Sequence, residues 1–253
     1  MNTDPTDGAM KIVRTTSAGG YSPKNHTGTI NRRMISRETV GAENVEVLIG
    51  TIVKGSGAHP HAHPHIEQLG YMLSGTGISV VNGQPTDATP GRWSLLPRGS
   101  FHDFKVTSDE AVRVIVVYVP PYREDPTQVT LEPSLADPAG QLIERLAPEM
   151  PQATPGKSSV QPIISREKSS AEKVEISLVT ADINNSVTLT GSPGVEQVLF
   201  VETGRLEINS AEQSLQADEG DWIFIPDGMT ASVTASDPAG GLAHLIRASD
   251  RKF

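Results

Sequence analysis

The sequence predicts an all-β protein: two tandem copies of one small barrel joined by a short helical linker. Three observations carry this expectation. Short runs of Val, Ile, Leu and Thr alternate with clusters of Gly, Pro, Asn and Asp, the pattern of antiparallel strands with many turns. The second half repeats landmarks of the first at constant spacing. Four of the seven histidines stand at positions 59, 61, 63 and 65. That is the period of an extended strand, which would set all four imidazoles on one face.

Taken in order, residues 1 to 9 read as a tail, and MKIVRT can add an edge strand. Residues 17 to 34 are rich in Gly, Ser and Asn and read as loop, carrying His26, Arg32 and Arg33. VEVLIGTIV, from Val45 to Val53, is apolar and β-branched, hence a strand. The histidine stretch follows. GYMLSGTGISVVNGQ then gives two strands with turns at SGTG and NG. GRWSLLP is a short strand, PRGSFHDFKV turns and begins another, and AVRVIVVYV ends the first copy at Val119. The proline-rich stretch from Pro120 to Pro162 holds one amphipathic segment, 138 to 147, with Leu142, Ile143 and Leu146 at helical spacing. Strands resume at KVEISLVTA, SVTLTG, VEQVLFVETGRLEI, GDWIFIPDG and AHLIRA. The expected division is a first barrel over 1–125, a linker over 126–160 and a second barrel over 161–253.

The repeat rests on six landmarks. Glu67-Gln68-x-x-Tyr71 corresponds to Glu196-Gln197-x-x-Phe200. Gly75 corresponds to Gly204, Gly91 to Gly220, Trp93 to Trp222, Pro97 to Pro226 and Gly99 to Gly228, each offset by 129.

Composition excludes several classes. The 253 residues carry a formal charge of −9 and no basic run, against nucleic acid or an anionic membrane as partner. The absence of cysteine excludes disulfides, thiolate metal sites and cysteine nucleophiles. No apolar run approaches the roughly 20 residues of a membrane span. The N-terminal stretch has no apolar core of a Sec-type signal, so a cytoplasmic location is expected.

Two motifs then carry a resemblance. Gly55-x5-His61-x-His63-x4-Gln68-x6-Gly75 resembles the first cupin motif, with Gln where Glu is usual. Gly91-x5-Pro97-x-Gly99-x2-His102 resembles the second, with Val106 where Asn is frequent. With the repeat, the chain resembles a bicupin: two jelly-roll β-barrels. The resemblance implies one divalent transition metal ion (Mn, Fe, Ni, Co, Cu or Zn) held by His61, His63, Gln68 and His102. Within the stretch, 59/61 and 63/65 are alternative histidine pairs, and Glu67 is an alternative to Gln68; the distances to Gly55 and Gly75 favour 61/63 and Gln68. The repeat maps His61, His63 and His102 onto Thr190, Ser192 and Ala231, so the second copy should not bind that metal. The resemblance also implies a homodimer.

Gln in place of Glu removes a negative charge from the ligand set and makes the ion a better Lewis acid. The expected activity is a non-redox lyase or isomerase step on a small oxygenated organic molecule. The alternatives are a metal-dependent dioxygenase acting on an aromatic or diketone, and a non-catalytic binding or storage protein. His59 and His65, sharing the ligand face, are the expected proton-transfer residues. Arg98, between the motif Pro97 and Gly99, is the expected partner of a substrate carboxylate.

Overall fold

The computed structural model of the protein describes residues 8–133, 157–169 and 171–253. The helix expected over 138–147 lies outside the described residues. The chain divides into two compact units, each a curled antiparallel β structure. No helix among the described residues is long and apolar enough to cross a membrane.

One unit comprises 18–33 and 46–150. Its sheet runs in the order Gln84–Ala88, Gly77–Val81, His102–Val106, Glu46–His61, Val112–Val119, Glu67–Ser74 and Trp93–Leu96, with His26–Ile35 also paired to Glu46–His61. The strand Glu46–His61 makes this sheet curl. Its first half pairs with Val112–Val119, and its far end pairs with His102–Val106. The segment 17 to 34, expected as loop, is largely strand. Gly, Asn and Thr lower its apparent β-propensity, but pairing along Glu46–His61 overrides that.

The other unit comprises 1–17, 34–45 and 151–253. The described N-terminal residues, 8–17, therefore belong to the same unit as the second barrel. Lys11–Arg14 forms an edge strand on Asp221–Ile225, and Met10 is buried in that barrel's core. The unit holds a six-stranded and a four-stranded sheet, with Leu199, Val201, Ile208, Ile223, Ile225, Val233 and Leu245 packed together inside.

The repeat landmarks have structural causes. Tyr71 faces Trp93 across neighbouring strands, and Phe200 faces Trp222 in the same way, with ring centroids 5.1 and 4.5 Å apart. Gly75 and Gly204 have φ of +74° and +81°, and a Cβ at either would strike backbone within 3 Å. The Pro–x–Gly turns close alike: the N–H of Ser100 donates to the Pro97 carbonyl and that of Met229 to the Pro226 carbonyl, each at 3.1 Å.

Candidate metal centre

The strand Glu46–His61 ends at the site. Its ladder with His102–Val106 shifts register between Ala58 and His61, across Pro60, which has no N–H to give. The shift reverses side-chain parity: His59 is exposed and His61 is buried. Beyond His61 the strand stops, His63 turns inward and His65 lies exposed in a turn. The single face expected for four histidines is thus divided by the two proline interruptions, Pro60 and Pro64.

His102 opens the strand that follows the Pro97–Ser100 turn and stands directly opposite His61, with ring centroids 4.4 Å apart. His63 is wedged between the rings of Tyr122 and Tyr118, at 4.7 and 5.5 Å. The candidate ligand nitrogens of His61, His63 and His102 all lie within 4.8 Å of one another, and all three residues are buried.

Each imidazole is fixed through Nδ1–H. His61 donates to the His59 carbonyl at 2.7 Å, His63 to the Gln128 carbonyl at 3.0 Å and His102 to the Ser100 carbonyl at 2.8 Å. A neutral imidazole that donates at Nδ1 presents a lone pair at Nε2. Burial keeps the rings neutral, and each would-be cation is further opposed by neighbouring histidines. His102 is pushed down to about 3 and His63 to about 4, and His61 is lowered too.

Gln68, Gly70 and Met72 alternate along Glu67–Ser74 and line a cavity of about 120 Å³ that also takes in His61 and His102. The same alternation turns Glu67 and Tyr71 to the opposite face, where both are buried. The Nε2 atoms of His63 and His102 and the Oε1 of Gln68 are buried without a hydrogen-bond partner among the described residues. Such orphaned acceptors are costly unless something binds them. Imidazole nitrogens and an amide oxygen are a donor set that a divalent transition metal accepts, so the residues fit the ion.

The structure does not bring the other expected residues to this cavity. His59 serves through its backbone, accepting from His61 and donating its N–H to the Asn25 carbonyl at 2.8 Å. His65 and Arg98 are exposed, Arg98 in the Pro97–Ser100 turn, and neither lines the cavity. Other residues do. His26, Thr29 and Asn31 reach the cavity from the strand His26–Ile35. Val114, Val116 and Tyr118 reach it from Val112–Val119. Their alternation in VRVIVVYV was the available signal. Arg92, Ser94 and Leu96 also line it.

Behind His61 and His63 lies a smaller chamber of about 10 Å³, lined by His26, Asn31, Tyr118, Tyr122 and Glu124. It has room for about one water. Residues read as the start of the linker complete this wall: Ala62 and Thr130 exchange backbone hydrogen bonds at 2.9 Å, and Gln128 holds His63. The buried Glu46 ties the wall together. It accepts from Arg33 Nε at 2.9 Å and from the Arg123 N–H at 2.7 Å, while Arg33 lies over the Tyr21 ring and Tyr21 donates to Glu124.

The family model described as the cupin domain matches residues 48–118, the stretch that supplies all four candidate ligands. No curated protein matches the sequence. Among solved structures, the protein Ylba from E. coli is similar at a TM-score of 0.72, with 12% identity over 97% of this chain and 93% of that one. Oxalate decarboxylase from Bacillus subtilis is similar at a TM-score of 0.71, with 13% identity over 95% of this chain and 76% of that one. A second structure of that decarboxylase, from work on its Mn(II) centres, is similar at 0.69, with 13% identity over 96% and 78% of the two chains. At these identities the likeness is one of fold. Residues 48–118 thus match a cupin domain, the chain as a whole shares the two-barrel fold of these structures, and its first barrel carries a three-histidine cluster suited to a divalent metal ion.

Proposed function

We propose that the first barrel binds one divalent transition metal ion through His61, His63, His102 and Gln68. There it catalyses a non-redox lyase or isomerase step on a small oxygenated molecule. The observation that carries this is the set of buried acceptors without partners among the described residues, His63 Nε2, His102 Nε2 and Gln68 Oε1, beside a cavity. When bound, the ion supplies Lewis acidity toward a substrate carbonyl or developing oxyanion.

The chain's own residues do the rest. Ile52, Met72, Leu96, Phe104, Val114 and Val116 give the cavity an apolar wall that excludes water. Tyr118, on the border of both chambers, is held protonated by burial, with Glu124 the next contribution, so its phenol serves as a hydrogen-bond donor to a bound oxygen. His26 donates Nδ1–H to the Lys24 carbonyl at 2.6 Å, which leaves Nε2 as an acceptor.

The test is metal uptake, with Mn(II) tried first because the Mn(II)-containing oxalate decarboxylase shares the fold. One ion per chain by elemental analysis is expected, together with a raised melting temperature. An ion present at 100 times its dissociation constant stabilises by about 2.7 kcal/mol. The loaded protein should convert small hydroxy- or oxo-compounds without consuming oxygen. Oxygen uptake would favour a dioxygenase instead. If no divalent ion is retained and none raises the melting temperature, the reading fails.

A further inference from the structure

Arg92 stands at a position that neither cupin motif specifies, and its surroundings point to a ligand. It precedes the strand Trp93–Leu96 and shares parity with Ser94 and Leu96, and all three line the cavity. Trp93, between Arg92 and Ser94, packs on Tyr71 and also contributes to the lining. Arg92 is the one permanent cation among the described residues lining the cavity, and it has no ion pair or hydrogen bond with any described side chain. Its side chain lies at the exposed end, while the histidines lie at the buried end.

The second barrel supplies an internal comparison. By the repeat, Arg92 corresponds to Asp221, whose carboxylate accepts the N–H of Asp218 at 3.0 Å and so caps its own turn. At the same place in the first barrel the side chain makes no such local bond and faces a cavity. The lining also holds an aliphatic group, Ile52, Met72, Val114 and Val116, and one carboxylate, Asp103. A ligand suited to the cation, the aliphatic group and the histidines has an anionic end, a short apolar part and an uncharged oxygen.

We propose that Arg92 is a substrate anchor and that the cavity selects small monocarboxylates. The carboxylate is paired with the Arg92 guanidinium, and a hydroxyl or oxo group is presented to the three-histidine end. This deepens the function proposed above, and rests on it for the far end only.

The test measures binding by calorimetry on Zn(II)-loaded protein, with 3-hydroxybutanoate and 3-hydroxybutanamide as probes of near-equal shape. The acid is expected to bind roughly ten- to a hundred-fold tighter than the amide, the scale of a hydrogen bond to a charged group. Arg92→Gln should bring the two within about two-fold of each other, the amide affinity and the metal content staying as they were. Arg92→Lys should keep part of the preference. Three results would overturn the proposal: equal binding of the two probes by the unaltered protein, a preference that survives Arg92→Gln, or no binding of the acid. The same comparison on metal-free protein reads Arg92 independently. Metal that fails to bind sinks the reading of the histidines, whereas an acid preference lost with Arg92 still stands.

Discussion

Three backbone carbonyls, those of His59, Ser100 and Gln128, settle what three imidazoles can do. Each takes an Nδ1–H and turns an Nε2 lone pair inward, so the cluster is arranged before any ion arrives. Gln68 is different: its oxygen is orphaned in a largely enclosed position, with no partner among the described residues. Gln68→Ala should therefore lower metal affinity by roughly 10–100-fold while leaving the histidine cluster intact, the scale on which a site's supporting polar groups act. Gln68→Glu should raise affinity instead, because a carboxylate adds charge to the attraction. Competition with a calibrated chelator measures both. Equal affinities for all three proteins would remove Gln68 from the ligand set. At this scale His61, His63 and His102 were legible through the resemblance of two motifs to the cupin pattern, not from the run of histidines by itself. The roles of His59 and Gln128 were not, since a carbonyl carries no trace of side-chain identity. His59 and His65 misled for a physical reason: strict alternation holds only while the ladder is unbroken, and the prolines break it.

At the scale of elements, the site depends on how closely two strands approach. Gly57 lies opposite Lys105, and a Cβ there would sit 1.7 Å from the Phe104 carbonyl oxygen. The strands Glu46–His61 and His102–Val106 can pair this tightly only because residue 57 has no side chain. The same pair carries His61 and His102 four and three residues further along from Gly57 and Lys105. Gly57→Ala must push the strands apart, and should destabilise the first barrel by about 3 kcal/mol or more. It should also weaken metal binding, because the two rings separate. Gly19→Ala is the control, since a Cβ there meets nothing within 4 Å. Thermal unfolding with and without metal reads both effects, and a Gly57→Ala protein with unaltered melting temperature would contradict this account. The strands themselves were visible as apolar runs between turn residues. The strand His26–Ile35 was hidden because its pairing partner, not its composition, makes it a strand.

At the scale of the whole chain, one fold appears twice with two interiors. Gly70, Ser79, Ser94, His102 and Val116 of the cavity correspond through the repeat to Leu199, Ile208, Ile223, Ala231 and Leu245. All five of the latter lie in the core cluster of the second barrel. At three of the five places, Gly70, Ser79 and Ser94, a small or polar residue lines the void of the first copy where Leu199, Ile208 and Ile223 fill the core of the second; His102 against Ala231 runs the other way in size. The aromatic pairs and turn glycines that both copies keep are those that hold the fold, which is why the repeat could be read while its interior could not. The one remaining ligand-type residue, Gln197, is itself buried and donates Nε2–H to the Met229 carbonyl at 3.0 Å. The difference makes exchange asymmetric. His102→Ala gives the first barrel the residue its twin already tolerates. It should lose metal while its apo-state melting temperature stays within a few degrees, because neutral histidine acceptors without partners gain little from being kept. Ala231→His places an imidazole in the buried core cluster that includes Val233, Leu189 and Ile208. It should destabilise by several kcal/mol through overpacking and an unpaired polar ring. Even with Thr190→His and Ser192→His added, the second barrel should take up no ion. Native mass spectrometry under metal excess therefore should show one ion per chain in the unaltered protein, none in His102→Ala, and one, not two, in the triple variant. A second ion in that variant would mean that the missing histidines, rather than the filled interior, keep the second barrel metal-free.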